Sequence, residues 1–164
     1  LTPTDSFALE GHVGFLLRKA HQRHVAIFVE ATASHGLTPT QFAALQKLAE
    51  VGSATQNLLG RLVAMDPATI QGVVRRLTER GLIARTHDPM DKRTAMTLSW
   101  LSAVVWRRSM VSVAVCTAVL KPTEEGLALA RASVACAQRA HDAALSALSP
   151  EERAVFLSLL RKMG

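Results

Sequence analysis

The fold turns on one stretch, Asp66 to Arg93, which reads DPATIQGVVRRLTERGLIARTHDPMDKR. Asp66 is a good helix cap, and Pro67 suits the first turn, where its missing N–H would have had no partner anyway. Ile70, Val73, Val74 and Leu77 recur at helical spacing and predict a buried stripe. That leaves Thr69, Gln71, Gly72, Arg75 and Arg76 on the opposite side. Gly81 supplies the stop. Leu82 to Arg85 reads as a strand, and a charged loop follows, Asp88-Pro89-Met90-Asp91-Lys92-Arg93. Small, amide and guanidinium side chains on one helix face, then a basic hairpin tip, are what reading a DNA major groove and touching the next groove require.

Upstream, residues 1–7 read as a loose arm, and about Ala8 to Ala33 as one long helix with Leu9, Val13, Leu16, Leu17, Ala20, Val25 and Phe28 at its apolar positions. His35-Gly36 is its stop. A helix this long that opens a small domain is expected to pack against a partner chain as well as its own core. Thr38, Pro39 and Gln41 form the start signal of a second helix, which carries Phe42, Leu45 and Leu48 to a break at Gly52. A third, shorter helix is expected from about Ala54 to Val63, with Leu58, Leu59 and Leu62 inward. Ala64-Met65 then turns directly into the Asp66 helix. Two short helices joined this tightly, the second with an exposed polar face, make a helix-turn-helix.

Downstream, Thr123 caps a helix with Glu124 and Glu125 in its first turn, running through alanine-dense sequence to about Leu148. Ser149-Pro150-Glu151-Glu152 is a further capping box. The last helix presents Val155, Phe156, Leu159 and Leu160, an apolar face with little left to cover in a domain of this size, so a dimer seam shared with the first helix is expected. The expected fold class is mainly α with a small β wing, a winged helix-turn-helix with N- and C-terminal dimerisation helices. Its divisions are 1–36 (dimerisation helix), 37–121 (DNA-binding lobe) and 122–164 (dimerisation helices).

Bulk properties agree. The 164 residues suffice for one domain with an elaboration, and an apolar fraction of 49% is ample for a core. A net charge of +6 with a pI near 10.2 favours a polyanionic partner. Between positions 75 and 93, Arg75, Arg76, Arg80, Arg85, Lys92 and Arg93 outnumber Glu79, Asp88 and Asp91. Cys116 and Cys136 lie far apart without metal-ligand spacing, which fits a reducing compartment. No signal pattern opens the sequence, and Arg107-Arg108 splits the longest apolar region, so a cytoplasmic protein without a membrane partner is expected. Phosphate-loop and nucleophile motifs are absent, which argues against an enzyme and implies no cofactor.

The order of elements resembles the MarR family of winged helix-turn-helix regulators. Four motifs carry the resemblance: Leu37-Thr38-Pro39-Thr40-Gln41-Phe42, Arg75-Arg76-Leu77-Thr78-Glu79-Arg80-Gly81-Leu82-Ile83, Asp88 to Arg93, and Lys121-Pro122-Thr123-Glu124-Glu125-Gly126. It implies a homodimer bound to double-stranded DNA at a pseudo-palindromic operator and released by a small molecule. It also places the family's Asp-x-Arg wing tip on Asp91 and Arg93, the carboxylate orienting a guanidinium that reaches the minor groove or backbone. Arg75 and Arg76 are expected at guanine edges or phosphates, Thr69 and Gln71 at base edges, with Gly72 admitting close approach. Lys92 joins them at the tip. Gln56 and Asn57 are candidate phosphate contacts.

Residues 96–118, MTLSWLSAVVWRRSMVSVAVCTA, do not fit that pattern. Without them the wing would be of ordinary length. Thr94-Ala95 and Thr117-Ala118 flank the segment as a small direct repeat, and residues 110–120 alternate like a strand, with Val111, Val113, Val115 and Val119 on one side. An extended wing hairpin, an apolar flap and sequence foreign to the fold all remain open.

For the effector, the first helix gathers His12, Phe15, Arg18, Lys19 and His24, with Phe42 on the second helix. Rings for stacking and cations for a carboxylate suit a small aromatic acid. The run GHVGFLLRKAHQRH is similar to regulators of aromatic and nicotinate-type catabolism. Two alternatives stand beside this reading: a zinc-responsive regulator of the same fold, for which His21 and His24 share a helix face, and an interaction module that binds no DNA.

Overall fold

The computed structural model describes residues 8–87 and 118–163. The expected arm at 1–7, the wing tip Asp91, Lys92 and Arg93, and nearly all of the 96–118 segment lie outside them. In chain order come α1 (Val13–Ala31), α2 (Pro39–Val51), β1 (Ala54–Thr55), α3 (Gln56–Leu62), α4 (Pro67–Glu79), β2 (Ile83–His87), β3 (Ala118–Pro122), α5 (Glu124–Ala144) and α6 (Pro150–Met163). The class is therefore mainly helical with one small antiparallel sheet, a winged helix-turn-helix.

Contacts divide the chain into two compact units, Leu1–Pro39 with Ser133–Gly164, and Thr40–Ala132. The second unit has a core of Leu45, Leu48, Leu59, Ile70, Val73, Val74, Leu77 and Leu120, all buried to 1% exposure or less. Its sheet runs β1-β3-β2. β2 pairs with β3 from Ile83 opposite Pro122 to His87 opposite Ala118, and β1 adds Ala54 opposite Leu120. On β3 the buried residue is Leu120, while Val119 is half-buried.

Two expectations are corrected here. Ala54-Thr55 is not the first turn of a helix; it is a two-residue strand that completes the sheet. The helix begins at Gln56, two residues later than expected, with the Thr55 hydroxyl accepting from the Leu58 N–H at 3.3 Å. Of the three leucines expected inward on α3, only Leu59 is buried; Leu58 and Leu62 are 38% and 43% exposed. The buried positions of α3 are the neighbours Leu59 and Gly60, so the helix is turned with Gly60, and not Leu58 or Leu62, beside Leu59.

In the first unit, α1 ends at a 3-10 turn, Ala33–His35, and Gly36 takes the left-handed conformation (φ 59°) that the stop requires. The buried Thr32 hydroxyl lies 2.7 Å from the Phe28 carbonyl and 2.9 Å from that of Leu37, tying the helix end to the chain that leaves it. The capping box of α6 forms as expected: the Ser149 N–H donates to Glu152 at 2.8 Å and the Glu152 N–H to the Ser149 hydroxyl at 3.3 Å. Along α1 and α6, Val13, Leu16, Leu17, Val155, Phe156 and Leu159 remain exposed in the single chain, as does Leu9, which lies not on the expected long helix but in a 3-10 turn, Leu9–Gly11, before it. No helix among the described residues is long and apolar enough to cross a membrane.

Candidate nucleic-acid interface

α4 is built as its sequence dictates. Asp66 caps it with both carboxylate oxygens: Oδ1 accepts from the Ala68 and Thr69 N–H groups at 3.0 Å each, and Oδ2 accepts the Thr69 hydroxyl proton. The Thr69 hydroxyl, then its N–H, hold the Asp66 carboxyl below its usual range, so it is ionised. The four apolar positions are all buried, and they leave Thr69, Gln71, Arg75 and Arg76 exposed on the other side. Gly72 is half-buried, and a Cβ there would meet only the Arg76 Nη2, at 3.5 Å. Arg75 Nε lies 3.8 Å from Glu79 Oε1 with both side chains exposed. Such a pair contributes little and leaves the guanidinium ready for another anion.

What holds this helix in place was less legible. α3 closes with a double hydrogen bond, Ala64 N–H to Arg61 at 3.3 Å and Met65 N–H to Gly60 at 2.9 Å. That closure puts Ala64 at φ 52°, a left-handed value usually reserved for glycine. Across the turn, a Cβ on Gly60 would meet Ile70 Cγ2 at 3.2 Å and the Met65 carbonyl at 3.3 Å, so the two helices approach at a glycine. α4 ends in the same kind of closure: the Gly81 N–H donates to Thr78 and the Leu82 N–H to Leu77, both at 2.9 Å, with Gly81 at φ 72°.

The far end of α4 is then gripped by the start of α5. The Thr123 N–H donates to the Leu82 carbonyl at 3.1 Å and its hydroxyl to the Gly81 carbonyl at 2.7 Å. The same hydroxyl oxygen accepts from the Gly126 N–H at 3.1 Å, so Thr123 is the expected cap and also a clamp. Gly126 is obligatory, since a Cβ there would sit 2.0 Å from the Leu82 oxygen. Neither glycine contact had a local signal in the sequence.

Among the other candidates, Asn57 is exposed at the start of α3. Gln56 is only half-buried, with its Oε1 enclosed and without a hydrogen-bond partner among the described residues. His12 precedes α1 as its N-cap residue, and Phe15, Arg18, Lys19 and His24 lie along that helix, whereas Phe42 belongs to α2 in the other unit. Phe15 and His24 are half-buried, Arg18 and Lys19 exposed. The His24 ring stands 6.0 Å from that of Phe28 and lines a cavity of about 500 Å³ with Leu17, His21, His141, Leu145 and Phe156. Burial, then the neighbouring His21 and His141, lower the His24 pKa. Among the described residues no group of three or more His, Cys, Asp or Glu side chains is placed to hold a metal ion.

Residues 37–95 match the family model described as "MarR family". The chain is 36% identical over 162 residues to the HTH-type transcriptional repressor NicR of Pseudomonas putida, covering 99% of this chain and 86% of the relative. Among solved structures, a "probable transcriptional regulator" from Pseudomonas aeruginosa superposes with a TM-score of 0.77 at 38% identity, over 96% of this chain and all of that one. BpsR of Bordetella bronchiseptica, solved in a study of the regulation of its DNA binding by 6-hydroxynicotinic acid, superposes with a TM-score of 0.76 at 32% identity, over 96% of each chain.

Proposed function

Because the chain belongs to the MarR family of transcriptional regulators, we propose that it is a homodimeric repressor of a pseudo-palindromic operator, released by a small aromatic acid. The observation that carries this reading is the division of α4: Ile70, Val73, Val74 and Leu77 are fully buried while Thr69, Gln71, Arg75 and Arg76 face solvent. A helix anchored at both ends, with its cationic and amide side free, is a reading head. Asn57, Gln56 and Gly72 support it from the same lobe, and Asp91, Lys92 and Arg93 extend it at the wing tip. The lobe spans residues 37–121. Residues 1–36 and 122–164 dimerise through the apolar faces that α1 and α6 leave open in the single chain.

His12, Phe15, Arg18, Lys19 and His24, all in the first unit, receive the effector, whose ring stacks and whose carboxylate meets the cations. The relationship to BpsR makes 6-hydroxynicotinic acid the first compound to try. The test is a footprint on the chain's own operator, with and without that acid, beside a thermal melt of the free protein. Binding to the native state raises the melting temperature, and release clears the footprint. A footprint unmoved by a panel of aromatic acids would overturn the effector assignment, and the absence of any footprint would overturn the repressor itself.

A further inference from the structure

We infer that Thr69 meets the DNA as a hydrogen-bond acceptor with a methyl group, never as a donor, and that Asp66 is the positioning residue that sets this polarity. The inference rests on α4 being the reading head. A threonine hydroxyl ordinarily rotates to suit its partner and so tells a base donor from a base acceptor poorly. Here the rotation is removed. An ionised carboxylate has no proton to give, so in the contact between Thr69 Oγ1 and Asp66 Oδ2 the hydroxyl must be the donor. Asp66 itself is fixed by the two N–H groups on its Oδ1. What the exposed Thr69 offers outward is therefore its oxygen lone pairs and its methyl.

In the major groove, adenine and cytosine present amino donors and thymine presents a methyl, whereas guanine shows only acceptors. An acceptor-only Thr69 in the first turn of the helix, where base edges are reached, therefore excludes guanine at one position of each half-site. Arginine on the same helix prefers guanine, so Thr69 gives the reading head a second and opposite letter.

The experiment selects bound duplexes from a randomised pool with the wild-type chain and with Thr69→Val, Thr69→Ser and Asp66→Asn. The wild type should disfavour guanine at one half-site position by roughly tenfold. Thr69→Ser keeps a hydroxyl that donates to Asp66 and should keep that penalty, whereas Thr69→Val should lose the preference for adenine and cytosine and retain thymine. Asp66→Asn is the decisive variant. Its carboxamide oxygen still accepts from the two N–H groups, but its amide now donates to Thr69, which frees the hydroxyl proton for the groove. Guanine should then be admitted at that position, with preferences elsewhere unchanged. A merely structural role for Asp66 would weaken every position together. If Thr69→Val alters no position, or Asp66→Asn keeps the guanine penalty, the inference is overturned while the DNA-binding reading stands. A wild-type chain that enriches no sequence overturns both.

Discussion

The Thr123 hydroxyl donates to the Gly81 carbonyl at 2.7 Å while its oxygen receives the Gly126 N–H at 3.1 Å. One side chain thus caps α5 and takes up an orphan carbonyl just beyond the end of α4. The end of α4 is thus held by a hydroxyl forty-two positions away in sequence. Thr123→Val, which keeps the shape and removes the hydroxyl, should destabilise the fold by about 1–2 kcal/mol in denaturant melts.

Gly126→Ala should cost more, about 3 kcal/mol or above, because its methyl would meet backbone that has nowhere to go. Urea unfolding measures it. A loss under about 1 kcal/mol would show that α5 approaches Leu82 less closely than described.

Ala64 makes the opposite case. Its left-handed backbone is strained for any residue with a Cβ, so Ala64→Gly should gain roughly 0.5–1 kcal/mol, net of the extra chain entropy. DNA affinity should be unchanged, since the turn geometry is kept. A destabilised variant would refute the closure at Met65 and Gly60.

Arg75→Ala with Arg76→Ala should leave the melting point within the range of an ordinary surface change, because the Arg75–Glu79 ion pair that it breaks is exposed. Operator affinity should nonetheless fall by about 2 kcal/mol or more, with a shallower salt dependence. Undiminished binding by filter or anisotropy titration would remove this face from the interface.

The His24 pKa is lowered from 6.5, so the fold prefers the neutral ring. The sign follows from linkage: this contribution is complete above 6.5 and is lost as pH falls below it through the depressed folded value. Thermal melts between pH 8 and 5 should show stability declining on the acidic side, and His24→Gln should flatten part of that decline. Identical slopes in both proteins would exclude His24 as a source.

How much of this was readable beforehand depends on the range of the interaction. α4 was legible residue by residue, because Asp66, Pro67, the four apolar positions and Gly81 all act within one helix. The box at Ser149 and Glu152 was legible for the same reason. β1 was missed because two residues cannot display a period, and Leu58 and Leu62 misled because apolar character does not say which way a short helix is turned. Ala64 gave no hint, since its left-handed turn is imposed by hydrogen bonds to Gly60 and Arg61 and not by its own preference. The demand on Gly126 comes from the Leu82 carbonyl, forty-four positions earlier, which no local pattern encodes.

The β2–β3 ladder carries a genetic consequence. Its register is fixed by the pairs from Ile83–Pro122 to His87–Ala118, and β1 fastens the same strand from the other side. Once two strands are held by their own pairing, lengthening what joins them costs only about 0.6 kcal/mol per doubling. The stem is thus a splice point, where a gene can gain or lose codons in frame without disturbing the lobe below. A change of even one codon within α4 would instead turn the exposed side chains beyond it about 100° relative to those before it.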